Sequence, residues 1–308
     1  MGLMRTAFLR ASQSQWLSRQ VRGRRFVRRA VSRFMPGEDL DAALQAAQRF
    51  VQQKMTTVLT QLGENVTDAN EARAVGRHYT DVLNRIQALK LPAHISVKPT
   101  QLGLDLGQDL CLEQLSGLVA HAATVGTFVS IDMEGSAYVD RTLELYRRLR
   151  PTHPNVGVCL QAYLHRTPAD LDSLTPLSPT IRLVKGAYNE PARIAFPKKR
   201  DVDRRYFELA QRLLATTPRP PQPHGFGTHD INLIQRICDH ARASGVPNSA
   251  FELQMLYGIR AADQVRLARA GYSMRILISY GSYWFPWYMR RLAERPANVW
   301  FVVKSMFA

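Results

Sequence analysis

The chain has 308 residues, of which 45% are hydrophobic, so it can bury the core of one large domain or of two smaller ones. Its three cysteines show neither metal-site spacing nor a disulfide framework, which predicts a reducing, cytoplasmic environment. No apolar run approaches the roughly 18 residues that span a bilayer, so no membrane-spanning helix is expected. The sequence also contains no Gly-x-Gly-x-x-Gly fingerprint, no P-loop and no metal-ligand spacing. Rossmann-type nucleotide binding and metal catalysis are therefore not expected.

The formal net charge of +16 is concentrated near the N-terminus. Residues 1–37 contain nine arginines and no acidic residue, and apolar residues recur between them at helical spacing: Phe26, Val27, Ala30, Val31 and Phe34. Such a basic amphipathic segment is typical of a peripheral anchor on the inner face of the plasma membrane, of an organelle transit peptide, or of a helix packed on the fold. Nucleic-acid binding is disfavoured because no basic-aromatic motif continues beyond it. We therefore separate an extension, residues 1–37, from a domain of residues 38–308.

Strand-like and helix-like segments alternate along that domain. A first helix is predicted at 38–53. Short β-rich runs follow at 56–60, 95–98, 127–131, 156–161, 181–185, 225–228, 251–255 and 274–279. Helical patterns lie between them at 69–89, 111–124, 141–149, 202–214, 231–244 and 261–269. Eight buried strands interleaved with helices predict an α/β fold, a parallel (β/α)8 barrel of the TIM type.

Polar residues recur where the predicted strands end. They are Lys98, Asp132, Glu134, Gln161, Lys185, Thr228, His229 and Asp230. Any one of them could be a buried group that is satisfied by its neighbours. The carboxyl ends of barrel strands meet at one face, however, and this face carries the active site of such folds. The repeated pattern therefore predicts a polar ligand site there.

Arg182 and Gln161 are unusual because the strands that contain them are otherwise apolar. A buried arginine can stabilise negative charge on a reduced flavin, and a buried amide can hydrogen-bond the pyrimidine edge of its ring. Alternatively, Arg182 forms an internal ion pair with Asp132 or Glu134. The residues alone leave both interpretations open.

A helix is predicted after the last strand, with Pro286 in its first turn. A 3.6-residue period places Trp287, Arg290, Arg291 and Glu294 on one broad face. Two adjacent guanidinium groups can converge on one carboxylate. The alternative is a solvated helix with an Arg290–Glu294 ion pair, which contributes little energy.

Taken together, these segments resemble the flavin-dependent proline dehydrogenase family, most closely its short monofunctional bacterial members. The matching segments are collinear and cover roughly residues 38–305: 62–66, 95–98, 131–134, 182–188, 227–230, 251–258 and 290–296. The run Arg-Leu-Val-Lys-Gly-Ala-Tyr at 182–188 and the paired arginines together form a specific signal. The resemblance implies a distorted (β/α)8 barrel that binds FAD at the strand carboxyl ends, with the last helix over the barrel mouth.

The resemblance also implies roles for individual residues. Cofactor contacts fall on Gln161, Arg182, Val184, Lys185, Gly186, Ala187, Thr228, His229 and Glu294, with Arg182 beside flavin N5. The substrate side falls on Lys98, Asp132, Tyr188 and Leu256, and Arg290 and Arg291 hold the substrate carboxylate. Lys98, Asp132, Arg182 and Tyr188 are the residues expected at the reacting groups. The implied reaction is hydride transfer from L-proline to flavin N5, which gives 1-pyrroline-5-carboxylate, and a membrane quinone then takes the electrons.

Two positions depart from the family pattern. Leu277 and Trp287 stand where the family usually has tyrosines that contact the proline ring. The sequence therefore also admits the same flavin chemistry on another amino or imino acid, such as hydroxyproline or an N-substituted amino acid. A third interpretation is a non-catalytic basic barrel that binds anionic surfaces through its arginine-rich segment.

Overall fold

A computed structural model describes residues 31–216, 219–285 and 288–289. Eight strands form a closed, all-parallel barrel in which each strand pairs with the next and β8 pairs with β1. They are β1 Thr56–Gln61, β2 Ala93–Val97, β3 Val129–Ile131, β4 Val156–Gln161, β5 Ile181–Val184, β6 His224–Gly227, β7 Phe251–Leu256 and β8 Ser273–Tyr280. The predicted barrel is confirmed, and each strand ends within two residues of its predicted limits.

Eight helices accompany the barrel in the described ranges. They are α1 Leu40–Val51, α2 Ala69–Ala88, α3 Gln108–Thr124, α4 Val139–Leu149, α5 Thr167–Leu174, α6 Lys199–Leu214, α7 Ile231–Ala243 and α8 Ala261–Arg269. Seven of them match predicted helices to within three residues. Helix α5 was missed because it is short, although Pro168 in its first turn and buried Leu171 and Leu174 were the available signals. None of the described helices is both long and apolar enough to cross a membrane.

Local sequence explains why the helices begin where they do and which side faces the barrel. In α2, the carboxylate of Asp68 accepts a hydrogen bond of 3.0 Å from the backbone N–H of Glu71. Such a cap is worth roughly 1 kcal/mol. Apolar residues then recur every three or four positions, and Tyr79, Val82 and Leu83 are fully buried against the strands. The strands themselves are buried on both faces, as expected of a parallel barrel.

Helix α1 packs on the outside of β1 and β8, although it precedes both strands in the chain. In a regular (β/α)8 barrel this position belongs to the helix that follows β8. Because α1 already covers the seam between β1 and β8, the chain after β8 is not needed there. Residues 284–285 and 288–289 of that chain are helical. The predicted positions Trp287, Arg290, Arg291 and Glu294 lie outside the described residues.

The described end of the basic segment packs on the barrel. Val31, Phe34 and Met35 are buried, and the Phe34 ring centroid lies 6.0 Å from that of Tyr288. Close by, the indole N–H of Trp284 donates a 2.9 Å hydrogen bond to the Glu38 carboxylate. Of the three interpretations of the extension, packing on the fold therefore describes residues 31–35, although only residue 31 of these is helical and residues 32–34 form a turn. The division at residue 37 stays a prediction.

Candidate active site

A cavity of about 660 Å³ opens at the carboxyl ends of the strands. Each strand, or the loop that follows it, contributes at least one lining residue. All thirteen predicted site residues in the described ranges line this cavity: Lys98, Asp132, Gln161, Arg182, Val184, Lys185, Gly186, Ala187, Tyr188, Thr228, His229, Leu256 and Leu277. The volume of this cavity and its mixture of apolar and polar lining residues are typical of a small-molecule site. A second cavity, of about 30 Å³, lies deeper in the barrel and is called the floor cavity below.

Arg182 projects inward from β5 and is 8% exposed. Its Nη2 donates to Oδ1 of Asp132 and, over 3.0 Å, to the hydroxyl of Ser96. Ser96 in turn donates to Asp132 Oδ1 over 2.6 Å. Burial lowers the pKa of Arg182 to about 10, so the guanidinium keeps its charge at neutral pH. The predicted internal ion pair with Asp132 is confirmed, and the same arginine also lines the cavity.

Gln161, at the end of β4, is held by its amide nitrogen. Nε2 donates to the backbone carbonyls of Met133 and Glu134 over 3.2 and 3.3 Å. Its Oε1 is buried and has no hydrogen-bond partner among the described residues, and the same is true of Oε1 of Gln254. Both glutamines line the main cavity. Because buried acceptors are nearly always satisfied, these two oxygens point to a bound group that carries N–H or O–H donors.

Glu134 is the strand-end residue that does not reach the cavity. It is buried, and its carboxylate accepts hydrogen bonds from the backbone N–H and the hydroxyl of Thr100, over 3.0 and 2.6 Å. Burial raises the pKa of this carboxyl group. Since Thr100 lies two residues after Lys98, Glu134 holds the loop that carries this lysine. Its role in the structure is support for the cavity wall.

Two lysines and two aspartates form an alternating cluster at one corner of the cavity. Lys185 donates to Asp203 over 2.5 Å and to Asp230 over 2.9 Å, and Lys199 contacts the same two carboxylates. Although burial opposes it, the hydrogen bonds from the two lysines hold the pKa of Asp230 well below its usual range. Asp230 also caps α7. The two carboxylates balance the two lysines, and Asp230 itself occupies the start of α7, so the corner offers lysine N–H donors to a ligand without an excess of positive charge.

The loops around this corner are tied together. The imidazole Nε2 of His229 accepts a 3.0 Å hydrogen bond from the backbone N–H of Leu256, so the chain after β6 is linked to β7. Gly186 has a φ of +117°, and a Cβ at this position would collide with the ring of Tyr163. Only glycine fits these two conditions. The close packing of Gly186 on Tyr163 shapes the wall next to Lys185.

Part of the cavity lining is apolar. Leu256 and Leu277 are register neighbours on β7 and β8, and Leu62, Met133 and Met255 also line the cavity. Above them, the Tyr188 hydroxyl lies 3.4 Å from the Glu64 carboxylate. The cavity therefore has a charged corner, a buried arginine at its base and an apolar wall. This arrangement suits a large polar group beside a smaller, partly apolar one.

Several lining residues were missed by sequence reasoning. They are Thr60, Glu64, Lys199, Gln254, Arg260 and Ser279. Strand alternation places Gln254 and Ser279 on the same faces as Leu256 and Leu277, and Glu64 lies within a matched segment, so these three could have been found. Arg260 has a left-handed backbone with φ of 59°. No sequence signal for that residue was available.

The fold and cavity define a barrel enzyme that encloses a small-molecule ligand at the strand carboxyl ends. The sequence profile of the family described as proline dehydrogenase matches residues 43–304, nearly the whole domain. The chain belongs to the proline dehydrogenase family. It is therefore an oxidoreductase of the class that acts on CH–NH groups.

Individual relatives agree with this assignment. Proline dehydrogenase 2 of Bacillus subtilis subsp. natto is 35% identical over 308 residues, which covers 99% of each chain. Proline dehydrogenase of Deinococcus radiodurans is 36% identical over 279 residues and covers 89% of each chain. The solved structure of proline utilization A from Bdellovibrio bacteriovorus, described as inactivated by N-propargylglycine, superposes with a TM-score of 0.83 at 24% identity. That likeness covers 95% of this chain but 36% of the other, and it shows a common fold.

Proposed function

We propose that the protein oxidises L-proline to 1-pyrroline-5-carboxylate, with FAD as the hydride acceptor. The observation that carries the proposal is the convergence of thirteen residues, predicted from scattered segments, on one cavity at the barrel mouth. The family supplies the reaction type, and relatives of comparable length bear the name proline dehydrogenase.

The cavity residues fit a bound FAD. The unpartnered Oε1 of Gln161 can accept a hydrogen bond from a ring N–H, and the cation of Arg182 lies in the same cavity. The N–H donors of Lys185 and Lys199 at the corner can hold phosphate groups. Val184, Gly186, Ala187, Thr228 and His229 form the rest of that wall. When bound, FAD supplies a two-electron acceptor.

The protein's own residues then have defined tasks. Asp132 and Ser96 hold Arg182 in one orientation, so its charge can stabilise negative charge that develops on the acceptor. Lys98, Tyr188 and Leu256 border the remaining space and orient the substrate C–H bond. Arg290 and Arg291 are proposed to bind the substrate carboxylate, Trp287 to border the ring, and Glu294 to contact the cofactor.

A second candidate keeps the flavin chemistry but changes the substrate. Leu277 lines the cavity beside Leu256, where the family usually has tyrosine, so this wall lacks an aromatic ring and its hydroxyl group. Such a pocket favours an amino or imino acid of different shape, for example hydroxyproline or an N-substituted amino acid. A misfit of one or two methylene-sized volumes changes kcat/KM by about 10- to 200-fold.

The electron acceptor is proposed to be a quinone, with a peripheral membrane contact at the inner face of the plasma membrane. Val31, Phe34 and Met35 are buried on the barrel, so the proposed contact falls to residues 1–30. Those residues contain eight of the nine arginines of the extension. Attraction to anionic lipid of about 1 kcal/mol per basic residue near the surface would then make binding salt-sensitive.

The test is spectroscopic. Purified protein should show the two visible absorption bands of a flavin, and anaerobic L-proline should bleach them. A panel that includes D-proline, hydroxyproline and N-methylated amino acids ranks the substrates by bleaching rate. Protein that takes up no flavin contradicts the proposal. An analogue that bleaches faster than L-proline, with the order reversed in Leu277→Tyr/Trp287→Tyr, establishes the second candidate instead.

A further inference from the structure

Tyr188 reaches the cavity from a long connection between β5 and α6, which we call the 185–198 loop. These fourteen residues contain neither helix nor strand apart from an isolated bridge between Leu164 and Ala195. The outer half of the loop is held by backbone hydrogen bonds to the chain after β4: His165 N–H donates to Ile194 over 3.0 Å, and Phe196 N–H to Tyr163 over 2.8 Å. At the inner end of the loop, Tyr163 N–H donates to Lys185 over 2.9 Å. The stretch that carries Tyr188 lies between these bonds and needs its own anchor, because loop residues keep one position only where contacts hold them.

Glu190 provides that anchor. One carboxylate oxygen accepts the backbone N–H of Ser136, and the other accepts the Ser136 hydroxyl, both over 2.7 Å. Ser136 begins a 3-10 turn that leads directly into α4. A carboxylate at the start of a helical segment, with two hydrogen bonds, makes a strong contact, because the dipole and the donors act in the same direction.

The same short segment also contacts Tyr188. A Cβ placed on Gly135 would lie 3.7 Å from Glu190 Oε1 and 4.0 Å from Tyr188 Cδ1, so both side chains pack over residues 135–136. Asp132, which pairs with Arg182, lies just before this segment. On its other side the Tyr188 hydroxyl lies 3.4 Å from Glu64. The ring is therefore enclosed between two loops, and the Glu190–Ser136 contact joins its own loop to one of them.

We infer that Glu190 is a positioning residue that holds Tyr188 against the substrate through its contact with Ser136. The inference rests on the proposed function, which places Tyr188 on the substrate side of the cavity. Glu190 itself does not line the cavity. Its effect on the reaction must therefore pass through the loop.

The experiment compares four variants of the full FAD-loaded chain: Glu190→Ala, Glu190→Gln, Tyr188→Ala and the double variant Glu190→Ala/Tyr188→Ala. Loss of a charge-assisted contact that orders a substrate-facing ring should raise KM for L-proline about tenfold in Glu190→Ala. We expect kcat within about threefold and an unchanged flavin content. Glu190→Gln keeps an oxygen for the Ser136 N–H and should recover part of the loss. When Tyr188 is already replaced by alanine, adding Glu190→Ala should raise KM for L-proline by less than about twofold.

Asp68→Ala is the matched control. Asp68 also presents a carboxylate to a backbone N–H at the start of a helix, and it lies outside the cavity lining. It should lower the melting temperature by an amount comparable to Glu190→Ala while KM stays within twofold. A merely structural role for Glu190 predicts the same behaviour for both variants, so equal kinetics in the two would overturn the inference. The inference would also be overturned if the increase in KM of the double variant equalled the product of the increases in Glu190→Ala and Tyr188→Ala.

A second measurement does not depend on activity. Arg193 is exposed three residues after Glu190, so the rate of trypsin cleavage after it reports how often the stretch between Glu190 and Ile194 opens. Cleavage should be about tenfold faster in Glu190→Ala than in the unmodified protein and unchanged in Asp68→Ala. If L-proline fails to bleach the unmodified protein, the proposed function is wrong. If proteolysis and KM are both unchanged in Glu190→Ala, the inference about Glu190 is wrong.

Discussion

Two buried arginines, Arg182 at the barrel mouth and Arg275 at its floor, have different surroundings. Both project inward from strands, both pair with a carboxylate, and both line the floor cavity. Arg275 binds Glu252 through two parallel hydrogen bonds of 2.7 and 2.6 Å and donates a third, of 2.9 Å, to the carbonyl of Thr57. Within the described ranges, the hydrogen bonds of Arg182 all come from Nη2. Arg182 also lines the main cavity, and Arg275 does not.

The difference shows that a buried arginine is not by itself a sign of a functional site. At the floor the guanidinium fork is matched by a carboxylate fork and a carbonyl, so the pair supports the fold. At the mouth the guanidinium faces a cavity that can hold a ligand. The same residue type therefore has two environments, and strand register and position along the barrel axis decide which of them it has. The predictions below test that division.

The largest effect is expected at the floor. Arg275→Met leaves the buried Glu252 without its cationic partner and with one remaining donor, the amide of Gln254 at 3.1 Å, which should lower the free energy of unfolding by about 3–5 kcal/mol. The double variant Arg275→Met/Glu252→Met removes both charges and should recover most of this loss. Denaturant unfolding followed by circular dichroism measures both. A single variant as stable as the unmodified protein would show that the floor pair does not support the fold.

Replacing Arg182, at the barrel mouth, should affect kcat more than the free energy of unfolding. Arg182→Met removes the cation that we propose stabilises charge on the acceptor, and loss of one such group lowers kcat by roughly 10²- to 10³-fold. The free energy of unfolding should fall less than in Arg275→Met, because the side chain of Asp132 is 15% exposed and that of Glu252 is 9% exposed, while each keeps one donor. Steady-state kinetics with a soluble dye and denaturant unfolding on the same preparation compare the two effects. Unchanged kcat would remove Arg182 from the reaction.

A third prediction concerns acid stability, which should depend on the floor end of the barrel. Burial lowers the pKa of His224 to about 4, and its Nδ1 accepts the backbone N–H of Ile181 over 3.2 Å, so the ring is neutral. In the unfolded chain its pKa is about 6.5, so the unfolded state binds more protons between pH 6.5 and 4. The free energy of unfolding should therefore decrease as the pH is lowered from 6.5 to 4, by up to about 3 kcal/mol.

His224→Gln should flatten that part of the pH profile, measured as the denaturation midpoint at several pH values. An unaltered slope in His224→Gln would assign the acid sensitivity to other groups.

The smallest expected effect is a difference in stability between alanine substitutions at two glycines. Gly186→Ala places a Cβ against the Tyr163 ring at a φ of +117°, and strain of this kind costs about 1–3 kcal/mol. Gly117, in α3, has nothing within 4 Å of the added Cβ. Gly117→Ala should therefore stabilise the helix by roughly 0.5–1 kcal/mol. Melting temperatures of the two variants should shift in opposite directions, and flavin content should fall only in Gly186→Ala.

The sequence was informative wherever a pattern is local. Strand-length apolar runs predicted all eight strands, since strands buried on both faces must be apolar throughout. The polar residues that end those runs are brought together by the barrel itself, which is why Lys98, Asp132 and Gln161 could be placed before any coordinates were known. Helix α5 was missed because two turns carry too little periodic signal.

Contacts between distant segments were decided by the tertiary structure. Lys199 meets Asp230 only because α6 and α7 begin at the same corner, and Glu190 meets Ser136 only because two loops lie side by side at the barrel mouth. Helix α1 covers β8 from a position more than two hundred residues earlier in the chain. By itself the sequence determined the barrel and its polar mouth, because these follow from short-range periodicity. Val184, Gly186, Ala187, Tyr188 and Leu256 were placed at the mouth by the resemblance to the proline dehydrogenase family. The partners of the buried charges and the contacts between loops depended on packing between segments far apart in the chain.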